Sequence, residues 1–585
     1  MTFSLHGVGV SRGIAIGRVH IVERNRLEIS EYRLQASEVD AEVERLMSAV
    51  AQAKHHLREI RDHIPTSTST DISTFIDTHL LMLDDAAFTD EPARIIRKKL
   101  CNAEWAVRLQ RDALVAVFDE MDDPYLRTRK DDVDHVVDRV LRNLLRHAPL
   151  GHEVPDRRLK DMIVLADDLN PADLILLQHH GVAGFVTEYG GPTSHMSILA
   201  RSLGIPGVVG VHHARRYVVD DELLIVDGDD GVVIGGADQK ILDQYRERQN
   251  RRRDYLAGLQ VLKSEAAVTS DGQAIRLHAN VELPEECESV HDAGADGVGL
   301  YRTEFLFMNR SGYPDEDEHF NTYRQMIDAL DNIPITIRTV DIGGDKPLDA
   351  LTASGSLAAN PALGLRAVRL CLREPSLFWP QLRAIIRVSA YGPVRMMIPM
   401  LSEIDEVHQV MDIVGTIRNE FSRRGIAYDE KMPIGGMIEV PAAAICAEDF
   451  ARELDFLSIG TNDLIQYAVA IDRVNDEVSY LYDPLNPGVL RLIATSIAAG
   501  RKLGIPVAMC GEMAGDTRYT RLLLGLGLEE FSVHPTALLE IKHILKSTSA
   551  REAKVLAQKL LRTTAPARRK ELLASLVAPS NLLPT

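Results

Sequence analysis

The chain has 585 residues, enough for three or four domains, and its 45% hydrophobic and 26% charged content fits an ordinary globular protein. A formal net charge of −19 with no long basic tract argues against a nucleic-acid partner, and no apolar run is long enough to span a bilayer. Cys101, Cys287, Cys371, Cys446 and Cys510 form no CxxC pair. Together with an N-terminus unlike a signal peptide, they point to a reducing, cytoplasmic setting without a zinc site or disulfide framework.

Residues 7–22 are glycine-punctuated and β-like. The period then changes. Val39, Val43, Leu46, Val50, Ala53, Leu57, Ile60 and Ile64 alternate four and three apart and predict one helix face, with Ser37 and Asp40 as a capping box and Pro65 as its stop. Helical patterns continue over 71–83, 92–121 and 131–146, so residues 35–147 are expected to form a helical subdomain. From Asp161 the pattern becomes α/β, with strands expected over 162–166, 184–187, 207–211, 223–226 and 232–234. The helical block then interrupts an α/β domain made of 1–34 and 148–235. The acidic run 227–231 reads as a tight turn between two strands rather than a cation loop.

Within that domain, GGPTSHMSILARSLGIPGVVG (190–210) sets His195 in a glycine-flanked turn that opens a helix. A helix start offers unpaired N–H groups and a positive dipole end, which suit a phosphoryl group. Thr193 and Ser194 can cap the helix or bond phosphate. Both a phosphate-carrying nucleophile and a buried structural histidine satisfy this pattern.

Residues 236–265 read as a linker, with a charged, solvated helix over 239–262. Strands are expected over 275–281, 296–301, 335–340, 394–400, 434–440, 456–459, 506–510 and 531–533, with helices between them, as over 363–372 and 489–503. Eight such alternations predict a (β/α)8 barrel over 266–575, a tail over 576–585, and an active site at the C-terminal strand ends. Functional-looking residues, most of them charged, recur at those ends: Arg302 and Glu304, Arg338 and Asp341, Glu439, Asn462 and Asp463 with Arg473 beyond, and Cys510 with Glu512. Any one could be a structural ion pair. Together they fit a small, highly anionic substrate held with a divalent cation: arginines fork onto phosphate and carboxylate, and Glu439 and Asp463 are hard ligands suited to Mg²⁺. Cys510 alone reads as an inert buried thiol or as a proton donor.

The histidine segment and YRTEFLFM, RTVDIGGDKP, GGMIEVPAA, FLSIGTNDLIQYAVAIDR and MCGEMAG occur in the order found in enzyme I of the phosphoenolpyruvate:sugar phosphotransferase system, which the chain resembles over about residues 7–575. The resemblance implies an α/β multidomain protein: an N-terminal phosphohistidine domain with an inserted α-helical subdomain, and a C-terminal phosphoenolpyruvate-binding barrel. It implies that His195 is phosphorylated, that Arg302, Arg338, Asn462, Asp463 and Arg473 bind phosphoenolpyruvate, and that Glu439 and Asp463 ligate Mg²⁺. Cys510 would protonate the enolate to pyruvate. The helical subdomain would bind the phosphocarrier HPr, and the barrel would form a homodimer. Pro192 stands where enzyme I often has Arg after the glycine pair. Ser and Thr precede Phe75 where an acidic pair is expected. Two rivals share parts of this pattern. An ATP-charged dikinase or synthase would need a large nucleotide-binding domain, and no GxxxxGK[ST] loop is present. A signalling protein would bind phosphoenolpyruvate without turnover.

Overall fold

Strands and helices alternate along most of the chain in the computed structural model, which describes residues 2–22, 30–63, 79–119, 124–145, 159–169, 173–174, 177–178, 180–190, 196, 200, 203–282, 284–307, 312–342, 361–472, 478 and 481–577. Two units separate, Met1–Arg252 and Arg253–Thr585. The division falls inside one helix, Gln239–Leu259, so the stretch expected as a free-standing linker is shared between them.

The first unit is built on one mixed sheet. Its strands are β1 (Phe3–His6), β2 (Val8–Ser11), β3 (Ile14–Val22), β4 (Ile163–Ala166), β5 (Gly184–Thr187), β6 (Gly207–Val209), β7 (Leu223–Asp227) and β8 (Val232–Gly235), in the order β1-β8-β7-β3-β4-β5-β6-β2. The single β-like stretch expected over residues 7–22 is therefore two strands, β2 and β3, and β1 precedes it. β3 and β4 pair in parallel, Val19 with Ile163 through Val22 with Ala166, although the helices lie between them in sequence. That pairing makes the helical block an insertion. One apolar cluster joins helix residues such as Leu46, Leu57 and Val137 to Val164, Phe185 and Val209 of the sheet, and a second covers the other sheet face. Burial on both faces explains why β4 and β5 read as unbroken apolar runs.

The helical stripe from Val39 to Leu57 is buried along helix Val39–His63. Ahead of this helix the Gln35 N–H donates to the Glu38 carboxylate at 2.7 Å. Ile64 and Pro65 fall outside the described residues. The span 92–121 is two helices, Asp90–Lys99 and Ala103–Asp119. Leu100 turns left-handed at φ 53° and closes the first helix. The Asn102 side chain then bonds Tyr32 N at 3.2 Å and Ser30 O at 3.1 Å, fixing the break by tertiary contacts. Residues 227–231 form the expected turn, in which Asp227 Oδ1 accepts from the N–H groups of Asp229 and Asp230 at 3.1 Å each. Arg248 and Arg252, from the helix expected to be solvated, close on this turn through Asp227 at 2.9 Å and Asp229 at 3.2 Å.

The second unit is a closed barrel of parallel strands: β9 (Arg276–Val281), β10 (Gly297–Tyr301), β11 (Ile335–Arg338), β12 (Val394–Ile398), β13 (Ile434–Ile438), β14 (Phe456–Ile459), β15 (Val507–Met509) and β16 (Glu530–Val533). All eight fall where the apolar runs predict them. No helix among the described residues is long and apolar enough to cross a membrane.

The N-terminal strand ends hold a buried polar group. His278 is 3% exposed, with Nε2 3.7 Å from Oε2 of the equally buried Glu530. Glu530 also pairs with Arg276, and Arg395 lies over the Phe456 ring at 5.1 Å. Burial first, then repulsion from Arg395 and Arg276, drives His278 from 6.5 down to about 3. The unfolded chain takes that proton near pH 6.5, whereas the folded barrel refuses it until near pH 3. This group therefore costs stability progressively as pH falls below 6.5 and nothing well above it. His278→Asn should flatten the acid side of the unfolding free energy against pH, taken from urea titrations, by up to about 1.4 kcal/mol per pH unit. An unchanged slope would show that His278 does not titrate this way.

Candidate active site

Each predicted barrel residue among the described ones lies at or shortly beyond a strand end, where the chain leaves the sheet and its side chains can converge. Arg338 closes β11. Its Nη2 meets Glu304 Oε1 at 3.0 Å and its Nη1 meets Asp341 Oδ2 at 3.3 Å. Burial opposes its charge, but Glu304, Asp341 and Glu439 outweigh that and hold it protonated. Glu304 Oε1 also accepts from Asp341 N at 3.0 Å, so the two strand ends share one carboxylate.

Glu439 follows β13 and is 2% exposed. Its Oε1 accepts from Met400 N at 2.6 Å, and Met400 adopts the left-handed region at φ 57°. Gly460, after β14, leaves room for this side chain: a Cβ there would stand 2.7 Å from Glu439 Oε2. Burial, then repulsion from Asp463 and Asp341, raises the Glu439 carboxyl above the usual carboxylate range. Asp463 lies in the first turn of helix Thr461–Val469, also buried, with Oδ1 lacking a hydrogen-bond partner. Arg366 completes the group. Its Nη2 lies 2.9 Å from Asp341 Oδ1 and 3.6 Å from Asp463 Oδ2, and its Nη1 donates to Tyr467 Oη at 3.3 Å.

Four buried carboxylates (Glu304, Asp341, Glu439, Asp463) thus face two buried guanidinium groups (Arg338, Arg366). That excess, the orphaned Asp463 oxygen and the crowding that lifts Glu439 are what a divalent cation would relieve. No group of three metal-ligating side chains converges among the described residues, so a cation held by Glu439 and Asp463 would take its remaining ligands from substrate and water.

Cys510 follows β15 and is buried among Leu300, Met397, Met437 and Phe456. Ser458 Oγ donates to its sulfur at 3.3 Å, and the sulfur faces Ile459 O at 3.9 Å. Burial pushes the thiol up, while Ser458 and Arg338 pull it down, and burial prevails. The group is a protonated thiol, able to donate. Arg302 and Asn462 stand on the more open rim. Arg302 pairs with Glu282 across the ends of β10 and β9, and this partner above all keeps it charged. Asn462 exchanges two bonds with Glu512, receiving from its N–H at 2.9 Å and donating to Oε1 at 3.2 Å. Arg473 lies outside the described residues.

In the first unit, β5 leads through Thr187, Glu188 and Tyr189 to Gly190, whose φ of 106° suits glycine. Thr187 Oγ1 donates to Tyr189 O at 2.6 Å, and Glu188 accepts from Arg215 N at 2.8 Å. His195 itself lies outside the described residues, whereas Met196 and Ala200, on its C-terminal side, are helical and buried. Arg366 is the site residue that motif reading missed. It sits in a run that reads as amphipathic helix, and its spacing carries no signal.

Three family models match the chain: "PEP-utilising enzyme, N-terminal" over residues 6–129, "PEP-utilising enzyme, mobile domain" over 159–231, and "PEP-utilising enzyme, PEP-binding domain" over 257–550. The chain is similar to the phosphoenolpyruvate-protein phosphotransferase of Cupriavidus necator, 45% identical and covering 99% of this chain and all of that one. It is also similar to those of Geobacillus stearothermophilus (40% identical, covering 94% of each chain) and Bacillus subtilis (39%, covering 95% of this chain and 96% of that one).

The Arg366 pairings generate a test. Arg366→Met would remove one of the two cations that pair with Asp341, and the one that lies beside Asp463, inside the barrel. It should cost about 3 kcal/mol of barrel stability in denaturant unfolding. A variant as stable as the parent would remove Arg366 from the network.

Proposed function

The chain belongs to the phosphoenolpyruvate-protein phosphotransferase family, and we propose that it moves the phosphoryl group of phosphoenolpyruvate to His195 and then to a histidine of an HPr-like carrier, releasing pyruvate. The observation that carries this reading is the barrel mouth: fixed guanidinium groups and buried carboxylates beside a protonated thiol.

In this reading Arg302, Arg338 and Arg473 bind the phosphate and carboxylate oxygens, and Asn462 orients the substrate from the rim. His195, neutral at Nε2, attacks phosphorus. The N–P bond forms as the P–O bond to the enol carbon breaks, and the electron pair leaves on the enolate. Cys510 gives its proton to the enolate carbon, yielding pyruvate, and the thiolate recovers a proton from water. Glu439 and Asp463 would hold Mg²⁺, which when bound spreads negative charge from the phosphoryl and enolate oxygens. The reverse surface requirement, access of one histidine to two partners, falls to the first unit. There the helices between β3 and β4 are the proposed carrier-binding subdomain. Dimerisation through the barrel and a cytoplasmic setting belong to the same reading; five unbridged cysteines support the latter.

Radiolabelled phosphoenolpyruvate should leave an acid-labile, base-stable phosphoryl adduct on the chain, and His195→Ala should abolish it. Equal labelling of the variant would reject the nucleophile. Glu439→Ala and Asp463→Ala should each remove Mg²⁺-dependent labelling while circular dichroism shows a folded chain. Full activity of either at saturating Mg²⁺ would reject the ligand roles. Cys510→Ala should slow pyruvate release by about two orders of magnitude while leaving transfer from phosphorylated chain to carrier intact. Undiminished pyruvate formation would return Cys510 to the status of packing.

A further inference from the structure

Behind the barrel mouth lies a second layer of polar groups that the chemistry above does not use. Gln381 is wholly buried on helix Pro375–Val388, among Leu377, Phe378, Leu382 and Ile385. Its Oε1 accepts from Val340 N at 2.9 Å. Its Nε2 donates to Thr303 Oγ1 at 3.0 Å and to Tyr323 Oη at 3.2 Å. Thr303 Oγ1 in turn donates to Arg338 O at 3.0 Å, and Tyr323 Oη bonds His319 Nδ1 at 3.0 Å. Thr303, Tyr323 and His319 are all buried, on the loop after β10 and on helix Glu316–Leu330.

The hydrogens of the amide's three bonds have one consistent arrangement. The backbone N–H of Val340 requires an oxygen on Gln381. The Thr303 hydroxyl gives its proton to a carbonyl, so it must receive one from Gln381. The same holds for Tyr323 once its proton goes to His319. Only a neutral amide supplies one acceptor and two donors at this point. The segments it joins are specific ones. Thr303 lies between Arg302 and Glu304, and Val340 lies between Arg338 and Asp341. The amide thus locks the loops after β10 and β11 to one another from behind, while Glu304 does so from the front.

We propose that Gln381, acting through Thr303 and Val340, is the positioning residue that holds Arg302 and Arg338 in register for an anionic substrate. The inference rests on the functional reading above, because it assigns that substrate to phosphoenolpyruvate. Gln381 does not touch the substrate. It fixes the backbone from which two of its guanidinium groups extend.

The test separates the two half-reactions of the intact chain. Gln381→Met keeps the volume and removes all three bonds; it should weaken phosphoenolpyruvate binding, measured by calorimetry, by about tenfold or more. Phosphoryl exchange between phosphorylated carrier and the first unit should stay within about twofold of the parent, since that half-reaction uses no residue of the network. Thr303→Val should weaken substrate binding in the same direction, and Thr303→Ser, which keeps the hydroxyl, should restore it to within about threefold. Should Gln381→Met fail to fold, the Thr303 pair decides alone. Unaltered phosphoenolpyruvate affinity in Gln381→Met or Thr303→Val would overturn the proposal. So would a parallel loss in both half-reactions that tracks the folded fraction. Failure of the unmodified chain to bind phosphoenolpyruvate would instead overturn the functional reading, and this inference with it.

Discussion

The barrel mouth is organised by an excess of buried negative charge. Glu304, Asp341, Glu439 and Asp463 are each at most 8% exposed, and Arg338 and Arg366 are the buried cations that face them. A surplus of this kind in a low-dielectric site cannot persist without a proton or a cation. The local backbone accommodates the arrangement. Met400 turns left-handed so that its N–H reaches Glu439, and Gly460 stays bare so that the same carboxylate has room. The geometry of several strand ends therefore follows from where the carboxylates must sit.

Such a site is rigid because its members restrain one another. Arg338 is held by Glu304 and Asp341, Asp341 by Arg366, and Arg366 by Asp463 and Tyr467. Tyr467 also donates to Ala362 O at 2.5 Å, tying the segment before Arg366 to the helix that carries Asp463. Guanidinium groups fixed in this way meet an anion with little reorganisation, and it is preorganisation more than contact number that favours a charged transition state. Gln381 extends the same logic one layer outward, behind the loops that carry Arg302 and Arg338.

What the sequence made legible follows the physics of burial. The eight barrel strands are covered on both faces, so each is an apolar run between helices, and all eight lie where those runs predict. Glu439 and Arg338 announced themselves as charges at the C-terminal ends of such runs, and Asp463 as one shortly beyond, whereas Cys510 stood out only through the family motif. Features created by tertiary bonds left no such trace. Leu100 and Asn102 split an apparently continuous helix only because Ser30 and Tyr32 pass beside them. Arg248 and Arg252 looked like a solvated face because their acidic partners lie in a turn many residues earlier. Arg366 was hidden in a helical pattern. Gln381 carried a faint signal: it occupies the apolar stripe of its helix, between Leu377 and Ile385, where a polar side chain must be fully bonded to be tolerated.

The setting of Cys510 shows how the same environment can favour a proton donor without trapping its product. A buried thiol resists ionisation, and a thiolate left behind in an apolar pocket would ordinarily recapture its proton at once. Here the opposing influences are separated in kind. Leu300, Met397, Met437 and Phe456 supply the desolvation that keeps sulfur protonated at rest. Ser458, at 3.3 Å, and the charge of Arg338 oppose that desolvation and stabilise the anion once it forms. In the functional reading, substrate chemistry alters the balance. A phosphate held by Arg338 would weaken that opposition and strengthen the hold on the thiol proton, and its transfer would restore the full charge of the guanidinium as the enolate forms. Proton delivery would then be coupled to phosphoryl transfer through the guanidinium charge of Arg338, with Arg302 acting on the thiol in the same direction.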